Sequence, residues 1–224
     1  ASFGWRRYYH AIYIANYIIE NQTKITEATQ DEISQLVGEA YMMRAYCHFL
    51  LANLYAEPYT HCNPATTRGI PLSMVADVNA VLSCNSLEQV YQQVIDDINN
   101  AKKYLTVDTW DEGFTYRFNK ISAEALLARV YLYKGDWHNA LAEAKTVIEK
   151  HGTLEDLNTS KVLPNYYKSV ESIVALEQVM TSGYIKIGEP NKALIDNYRT
   201  GDKRKSLYYK AITASAYSLT KYGD

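Results

Sequence analysis

Asp96-Asp97 are the first residues of this chain that could do chemistry, because two carboxylates can divide the roles of general acid and general base. They sit in a run where Val90, Tyr91, Val94, Ile98, Ala101 and Leu105 recur at three- and four-residue steps, which predicts a helix. Neighbours on a helix point about 100° apart, so the two carboxylates cannot converge on one bond, and the pair reads as a solvated helix face. Glu39/Arg44 and Glu124/Arg129 read as polar contacts between helices rather than a catalytic set. No Ser–His–Asp order, nucleophile elbow, phosphate-binding loop or H-E-x-x-H run occurs, and nothing points to an enzyme. Cys47, Cys62 and Cys84 form an odd set without a C-x-x-C spacing. Cys47 reads as a small buried hydrophobe; a disulfide between Cys62 and Cys84 stays open. His61-Cys62 with Cys84 lacks the fourth ligand that zinc requires, so neither metal nor cofactor is expected. Asn21-Gln22-Thr23 and Asn158-Thr159-Ser160 match the glycosylation sequon, a pattern common by chance.

The elements that position these residues are helices. Residues 121–150 predict two amphipathic helices broken at Lys134-Gly135-Asp136. Ala123, Leu126, Leu127, Val130 and Tyr131 line one face of the first. Gly135 supplies the turn and Asp136 the cap of the second, whose inner face carries Trp137, Ala140, Leu141, Ala144, Val147 and Ile148. The pair still has apolar surface for a neighbour, which makes it a repeat unit rather than a domain. Upstream, Arg6–Asn21 predicts a first helix. Thr29-Gln30-Asp31-Glu32 is a capping box that opens a second, running to about Tyr55 with Pro58 as its stop. Ile70-Pro71-Leu72 reads as extended, and Ser86-Leu87-Glu88-Gln89 is another capping box. His151-Gly152 closes the helix pair with glycine where a left-handed cap is expected. Beyond it the pattern loosens: a strand-like or short buried run at Glu171–Val179, irregular chain at Thr181–Pro190, a short helix at Lys192–Tyr198 and an unassigned tail from Ala211. Glu39, Ala40, Arg44 and Tyr46 recur at one constant offset as Glu124, Ala125, Arg129 and Tyr131, which argues for stacked units.

Composition narrows the partners. Of the 224 residues, 47% are hydrophobic and 21% charged, and the net charge is −2, which gives no electrostatic case for nucleic acid or an anionic membrane. Tyrosine is over-used, 21 against 4 Phe and 3 Trp, and most of it falls at helical spacing as core. No apolar run reaches the ~18–20 residues that span a bilayer, and no signal peptide precedes Ala1. A helical stripe from Trp5 onward opens the chain so abruptly that a piece of something longer is expected.

Leu127, Ala128, Tyr131, Gly135, Trp137 and Ala140 fall at the spacing of a tetratricopeptide repeat, although Ala144 stands where that repeat usually has an aromatic residue. The wider text is more specific. Glu39-Ala40, Arg44-Ala45-Tyr46, Phe49, Leu51, Leu54-Tyr55 and Pro58-Tyr59 resemble the signature helix and turn of SusD/RagB-family proteins, with Ala56 where the family often has glycine. Gly69-Ile70-Pro71-Leu72, then Ser86, Val90-Tyr91, Ile95, Asp97, Ala101 and Leu105, and then Lys120, Ala123, Ala125-Leu126-Leu127-Ala128-Arg129-Val130-Tyr131-Leu132, Gly135 and Trp137 resemble successive blocks of the same family. Glu171-Ser172-Ile173-Val174 and Gly201-Asp202-Lys203-Arg204 resemble two later landmarks in the right order.

The resemblance implies a mainly α fold, a SusD-like superhelix of stacked tetratricopeptide-like helix pairs with irregular loops and little strand. It implies one helical-repeat region over residues 1–224, with repeat-like units at about 5–56, 86–134 and 136–151. Family members are roughly twice this length, so an N-terminal segment with a lipidated cysteine and a C-terminal lobe are expected outside these residues. The implied function is non-catalytic: a surface-exposed outer-membrane lipoprotein that captures oligosaccharides or polysaccharides for a TonB-dependent, SusC-like transporter. The implied membrane attachment is a lipid anchor outside this chain, and nucleic acid is not an expected partner.

A sugar site needs an aromatic face against a pyranose ring and Asn, Asp or Arg side chains for its hydroxyls. Trp110 and Tyr116 lie on one loop, and Tyr184, with Asn191 to supply hydrogen bonds, on another. Tyr184 leads these candidates because its segment is irregular and lies beyond the repeats. The plainer reading of each ring is closure over the end of a helix pair. Trp5 and Trp137 read as packing residues. The competing function is a tetratricopeptide-type adaptor holding a protein or peptide in a concave groove; a glycan-degrading enzyme has only the Asp pair in its favour.

Overall fold

Seven helices and two small hairpins make up the described chain. The computed structural model describes residues 3–160, 162–164, 166–176, 188–213 and 215–220. Helices α1 (Phe3–Asn21), α2 (Gln30–Tyr55), α3 (Leu87–Tyr104), α4 (Lys120–Lys134) and α5 (Trp137–Lys150) form the main stack. A hairpin of β1 (Arg68–Pro71) and β2 (Cys84–Ser86) lies between α2 and α3 in the sequence. Two short helices, α6 (Lys192–Asp196) and α7 (Lys203–Tyr208), precede a second hairpin, β3 (Tyr209–Ala211) with β4 (Tyr217–Leu219). The chain divides into two compact units, residues 1–111 with 117–151 and residues 112–116 with 152–224. The expected mainly α fold of stacked helix pairs is what the chain adopts.

The helix starts follow from local chemistry. Thr29 Oγ1 accepts the Glu32 N–H while Glu32 Oε2 accepts the Thr29 N–H, and Ser86 and Gln89 repeat the exchange at α3. A third reciprocal cap, Asn119 with Ser122, opens α4 and has no signal in the expected S/T-x-x-E/Q form. Gly135 turns left-handed at φ +79°, and Asp136 caps α5 by accepting the Asn139 N–H. The far end of α5 differs from expectation. Gly152 is not in the left-handed region; the helix closes on the His151 N–H to the Val147 carbonyl, and the chain leaves without a glycine cap.

In the first unit each helix packs on the next: α1 on α2, α2 on α3, α3 on α4, α4 on α5. Ile12, Met42, Leu51, Leu87, Ile98 and Leu127 are fully buried between them. Gly38 lets α2 close against the end of α3: a Cβ there would stand 2.8 Å from the Leu105 nitrogen. Aromatic edges fill the seams, with Trp5 between Tyr9 and Tyr55, and Phe49 between Tyr91 and Tyr133.

The Asp pair is not a solvated face. Asp97 is fully buried, and Arg44 donates to it through Nε (2.8 Å) and Nη2 (2.6 Å). Arg44 Nη1 also reaches Asn16 Oδ1 at 2.9 Å, so one guanidinium binds α1, α2 and α3 together. Asn16 passes the chain of bonds on to the Ser73 and Val75 carbonyls, both at 3.1 Å. Burial pushes the Asp97 carboxyl up, and the hydrogen bonds from Arg44 and Gln93 pull it back. Asp96 stays exposed and accepts from Gln92. Arg44 and Glu124, which accepts from Lys150, do make contacts between helices; Glu39 instead pairs with the loop residue Arg117, and Arg129 is exposed.

Helix α5 also departs from expectation. Of the six residues assigned to its inner face only Ala140 is buried, while Trp137, Leu141 and Ile148 are exposed, so Trp137 is not a core packing residue. The reason is that, among the described residues, α4 is the one element that packs extensively on α5, and a single neighbour covers only one side of a helix. In the second unit Glu171–Leu176 forms no strand, the rest of the run to Val179 lies outside the described residues, and the unassigned tail contains the β3–β4 hairpin.

His48, fully buried on α2, gives the fold an acid-sensitive point. Its Nε2 accepts the Ser73 N–H at 3.4 Å, and its Nδ1 meets no partner among the described residues. Burial, with the Arg44 guanidinium nearby, lowers its pKa to about 3. The unfolded chain takes the proton near pH ~6.5, so between the two values the unfolded state holds more protons and stability falls as pH falls. By pH ~5 this loss should reach about 2 kcal/mol. Urea midpoints at neutral and acid pH for wild type and His48→Gln check it: the variant should lack this share of the acid loss. An unchanged acid limb would clear His48 of the effect.

Candidate functional site

The connection between α3 and α4 begins at a clamp on α2. Gln35 accepts the Thr106 and Val107 N–H groups at 2.8 and 3.0 Å, and donates to Glu39 and to the Phe118 carbonyl. Glu39 holds Arg117 through two bonds, 3.2 and 2.7 Å long. Trp110, one of the expected sugar contacts, belongs to this assembly. Its indole N–H donates to the Phe118 carbonyl at 2.9 Å, and the Arg117 guanidinium lies 4.0 Å over its ring centre. One face of Trp110 is therefore covered by an arginine, in keeping with the plainer reading of a ring closing a helix pair.

The other expected residues fall in the second unit or outside the description. Tyr116 is exposed on the tip of the same connection. Asn191 is exposed and caps α6, its Oδ1 accepting the Ala193 N–H at 2.9 Å. Tyr184 lies outside the described residues.

What the second unit does assemble is an aromatic surface that the periodicity did not single out. Tyr166 and Tyr167 are both about half exposed, with ring centres 4.7 Å apart and planes inclined by 55°. Lys168 lies 5.4 Å over the Tyr167 ring and forms an ion pair with Glu112, which brings residue 112 beside residue 168. A backbone bond from the Ala175 N–H to the Thr115 carbonyl, 2.9 Å, holds the two segments side by side. Phe114 and Tyr116, both exposed, flank Thr115 on that strip.

The tyrosines rest on a fixed base. The turns Leu163–Tyr166, Tyr166–Ser169 and Ser169–Ser172 each close with a backbone bond of 2.9 to 3.0 Å. Beneath them Glu155 accepts from the Ser169 hydroxyl at 3.0 Å and the Val170 N–H at 3.2 Å, while Glu171 accepts the Glu155 N–H at 2.9 Å. Hydrogen bonds from Ser160, Val170 and Ser169 hold the Glu155 carboxyl below its ordinary range, so it remains an acceptor at neutral pH. The Tyr166 hydroxyl is shifted up, first through its hydrogen bond with Tyr167, and remains protonated.

This arrangement offers aromatic faces, hydroxyls and a neutralised Lys–Glu pair at a surface. It offers no convergent acid and base, and among the described residues no group of three metal-ligating side chains. Such a surface suits an uncharged ligand with apolar faces and many hydroxyls. Sequence reasoning passed over it because residues 152–176 have no period; the consecutive Tyr166-Tyr167 after Pro164 in a polar stretch was the available signal.

Comparison with known proteins agrees with the fold. The profile of a family described as starch-binding and associating with the outer membrane matches residues 2–132. SusD-like protein P2 of Formosa agariphila is 26% identical over 182 residues, covering 81% of this chain and 33% of that protein. A SusD superfamily protein of Bacteroides thetaiotaomicron is 29% identical with a TM-score of 0.61, over 67% of this chain and 33% of its own. A SusD superfamily protein of Bacteroides vulgatus is 21% identical, but its fold matches 99% of this chain at a TM-score of 0.78, using 55% of its own length. The chain thus spans about a third of the curated relative and half of that last fold.

Proposed function

The chain belongs to the SusD-like family of starch-binding proteins that associate with the outer membrane, and from that we propose that it is part of a non-catalytic glycan-binding subunit. The observation that carries this reading is the exposed Tyr166–Tyr167 pair, held on a hydrogen-bonded base beside Phe114 and Tyr116. Its ligand is an uncharged oligosaccharide or polysaccharide, with α-glucan the first to try given the family's description. Within the same proposal, the full protein is a surface-exposed lipoprotein of the outer membrane that hands glycan to a TonB-dependent, SusC-like transporter. The helices are scaffold and the loops hold the ligand. Residues 1–224 are one helical-repeat region of that protein, and Tyr184, Asn191, Trp110 and Tyr116 keep their place as secondary candidates for contact.

Binding without catalysis fits the fate of the carboxylates. Asp97 is locked to Arg44, Asp96 faces outward, and the two serve different surroundings. The test is titration of the full-length protein against a panel of neutral and acidic glycans by calorimetry or affinity electrophoresis. Tyr166→Ala and Tyr167→Ala should each weaken binding of the preferred glycan about tenfold, or ~1.4 kcal/mol, and the double change should abolish it. Full binding by the double variant would rule this surface out. Failure to bind any glycan, with saturable binding of a peptide, would favour an adaptor role.

A further inference from the structure

Residues 192–210 carry charge of the opposite sign to the protein as a whole. The chain is −2 overall, yet this stretch holds six Lys and Arg against two Asp and no Glu. Both acids are already engaged: Asp196 pairs with Lys192 and Asp202 with Arg204, each at 2.6 Å. Arg199, Lys203 and Lys210 are exposed, and with Lys205 they form no ion pair among the described residues. Glu171, which bears on the Tyr208 hydroxyl from the neighbouring segment, is occupied by the Glu155 N–H. A run of surface charge is usually only a solvated face, so its arrangement decides.

That arrangement is built around two tyrosines. Tyr198 and Tyr209 have ring centres 5.7 Å apart and planes inclined by 54°, and their hydroxyls share a hydrogen bond of 3.3 Å. The bond, ahead of burial, pushes the Tyr209 hydroxyl up to about 12, so this ring brings no negative charge at neutral pH. The Arg204 guanidinium lies 5.6 Å from the Tyr198 ring centre, over its face. Asp202 fixes the plane of that guanidinium by accepting from Nε at 3.0 Å and Nη2 at 2.6 Å. The Asp202 side chain is 19% exposed and that of Arg204 58%, so the acid is tucked beneath and the arginine faces solvent. Arg204 Nη1 makes no hydrogen bond among the described residues. Two backbone turns, Arg199–Asp202 at 3.1 Å and Asp202–Lys205 at 3.2 Å, keep Arg199, Lys203 and Lys205 close to it along the chain.

We propose that this cluster is a second glycan-binding surface, selective for an acidic sugar: the Tyr198–Tyr209 pair meets the ring, and Arg204, held by Asp202, grips its carboxylate or sulfate. A guanidinium with a fixed plane and a free edge suits the oxygens of such a group, and its bonds to an anion are roughly twice as strong as neutral ones. The surplus cations draw a polyanion in, over a range of about 10 Å at 0.1 M salt. In the reading above Tyr166 and Tyr167, whose neighbour Lys168 is neutralised by Glu112, take a neutral stretch of glycan. The surface here takes a charged unit, and neither assignment rests on the other.

The test is calorimetric titration of the full-length protein with polygalacturonate, dextran sulfate and neutral dextran, at low and at physiological salt. At least one acidic polymer should bind tenfold or more tighter than dextran, and which one names the acid group. Arg204→Gln should abolish that preference. Arg199→Gln with Lys203→Gln, at exposed positions with no partner to disturb, should reduce it several-fold and flatten its salt dependence. Tyr166→Ala with Tyr167→Ala should leave it unchanged, which separates this surface from the other. No preference for either acidic polymer, or full preference in the Arg204 variant or in the Arg199 and Lys203 double variant, would overturn the proposal. So would equally tight binding of polyglutamate, which means charge without sugar, or binding of phosphatidylglycerol vesicles in place of both acidic polymers.

Discussion

Replacing Arg44 with alanine should destabilise the helical unit by about 3–5 kcal/mol, enough to remove much of the stability of an ordinary domain. The reason is the residue left behind. Asp97 is fully buried, and apart from Gln93 its bonds come from Arg44. Removing the guanidinium leaves a carboxylate with no countercharge in the core and takes the partner from Asn16 Oδ1 as well. Asp97→Ala should cost a similar amount by stranding the arginine. The pair itself is not what makes the core stable, since two ions are expensive to desolvate. The double change Arg44→Met with Asp97→Leu should therefore recover most of the loss. Urea unfolding of the two single variants and the double variant gives the cycle. Single changes costing under ~1 kcal/mol would mean that water reaches this pair after all.

The second large effect is expected at Gly38, in the middle of α2. Glycine inside a helix ordinarily gains up to ~1 kcal/mol on replacement by alanine, because the unfolded chain loses freedom. Here the sign should reverse. A Cβ at this position would sit 2.8 Å from the Leu105 nitrogen and 2.9 Å from its Cγ and Cδ2. The nitrogen cannot give way easily, since its N–H closes α3 on the Ala101 carbonyl at 2.9 Å. Gly38→Ala should cost about 2 kcal/mol and Gly38→Val more than ~3 kcal/mol, by forcing α2 away from the end of α3. Thermal unfolding decides: an alanine variant more stable than wild type would show that the two helices have slack between them.

Helices α1 to α6, the capping boxes at Thr29 and Ser86, the Gly135 turn and the family were legible in the sequence, because spacing and local chemistry determine them; the short α7 was not. Asp97 was not. A buried carboxylate and a solvated one occupy a helix pattern in the same way, and only the arrival of Arg44 from another helix distinguishes them. The exposure of Trp137, Leu141 and Ile148 was hidden for a related reason: an amphipathic pattern states which side could be buried, not what is there to bury it. At the candidate site, Trp110 was visible as a loop aromatic, but its commitment to Phe118 and Arg117 depends on contacts between segments. Tyr166 and Tyr167 had no period to draw attention to them, and their base is built from Glu155, Ser169 and Glu171, three residues whose roles appear only when the loop is closed.

The clamp on α2 has a consequence for how such a protein can change over generations. Both ends of the connection between α3 and α4 are fastened to the same helix face: Thr106 and Val107 to Gln35, Arg117 to Glu39, Phe118 to Gln35, with the Lys120 N–H closing on the Val107 carbonyl. Once the ends are fixed and Trp110 is seated on Phe118 and Arg117, residues 111–116 have little bearing on whether the helices of the first unit fold, and even a doubling of loop length costs only about 0.6 kcal/mol. Phe114 and Tyr116 ride on that interval. A lineage can therefore rewrite the interval as a replaceable cassette, changing the side chains it shows to solvent while the helices beneath inherit their sequence unchanged.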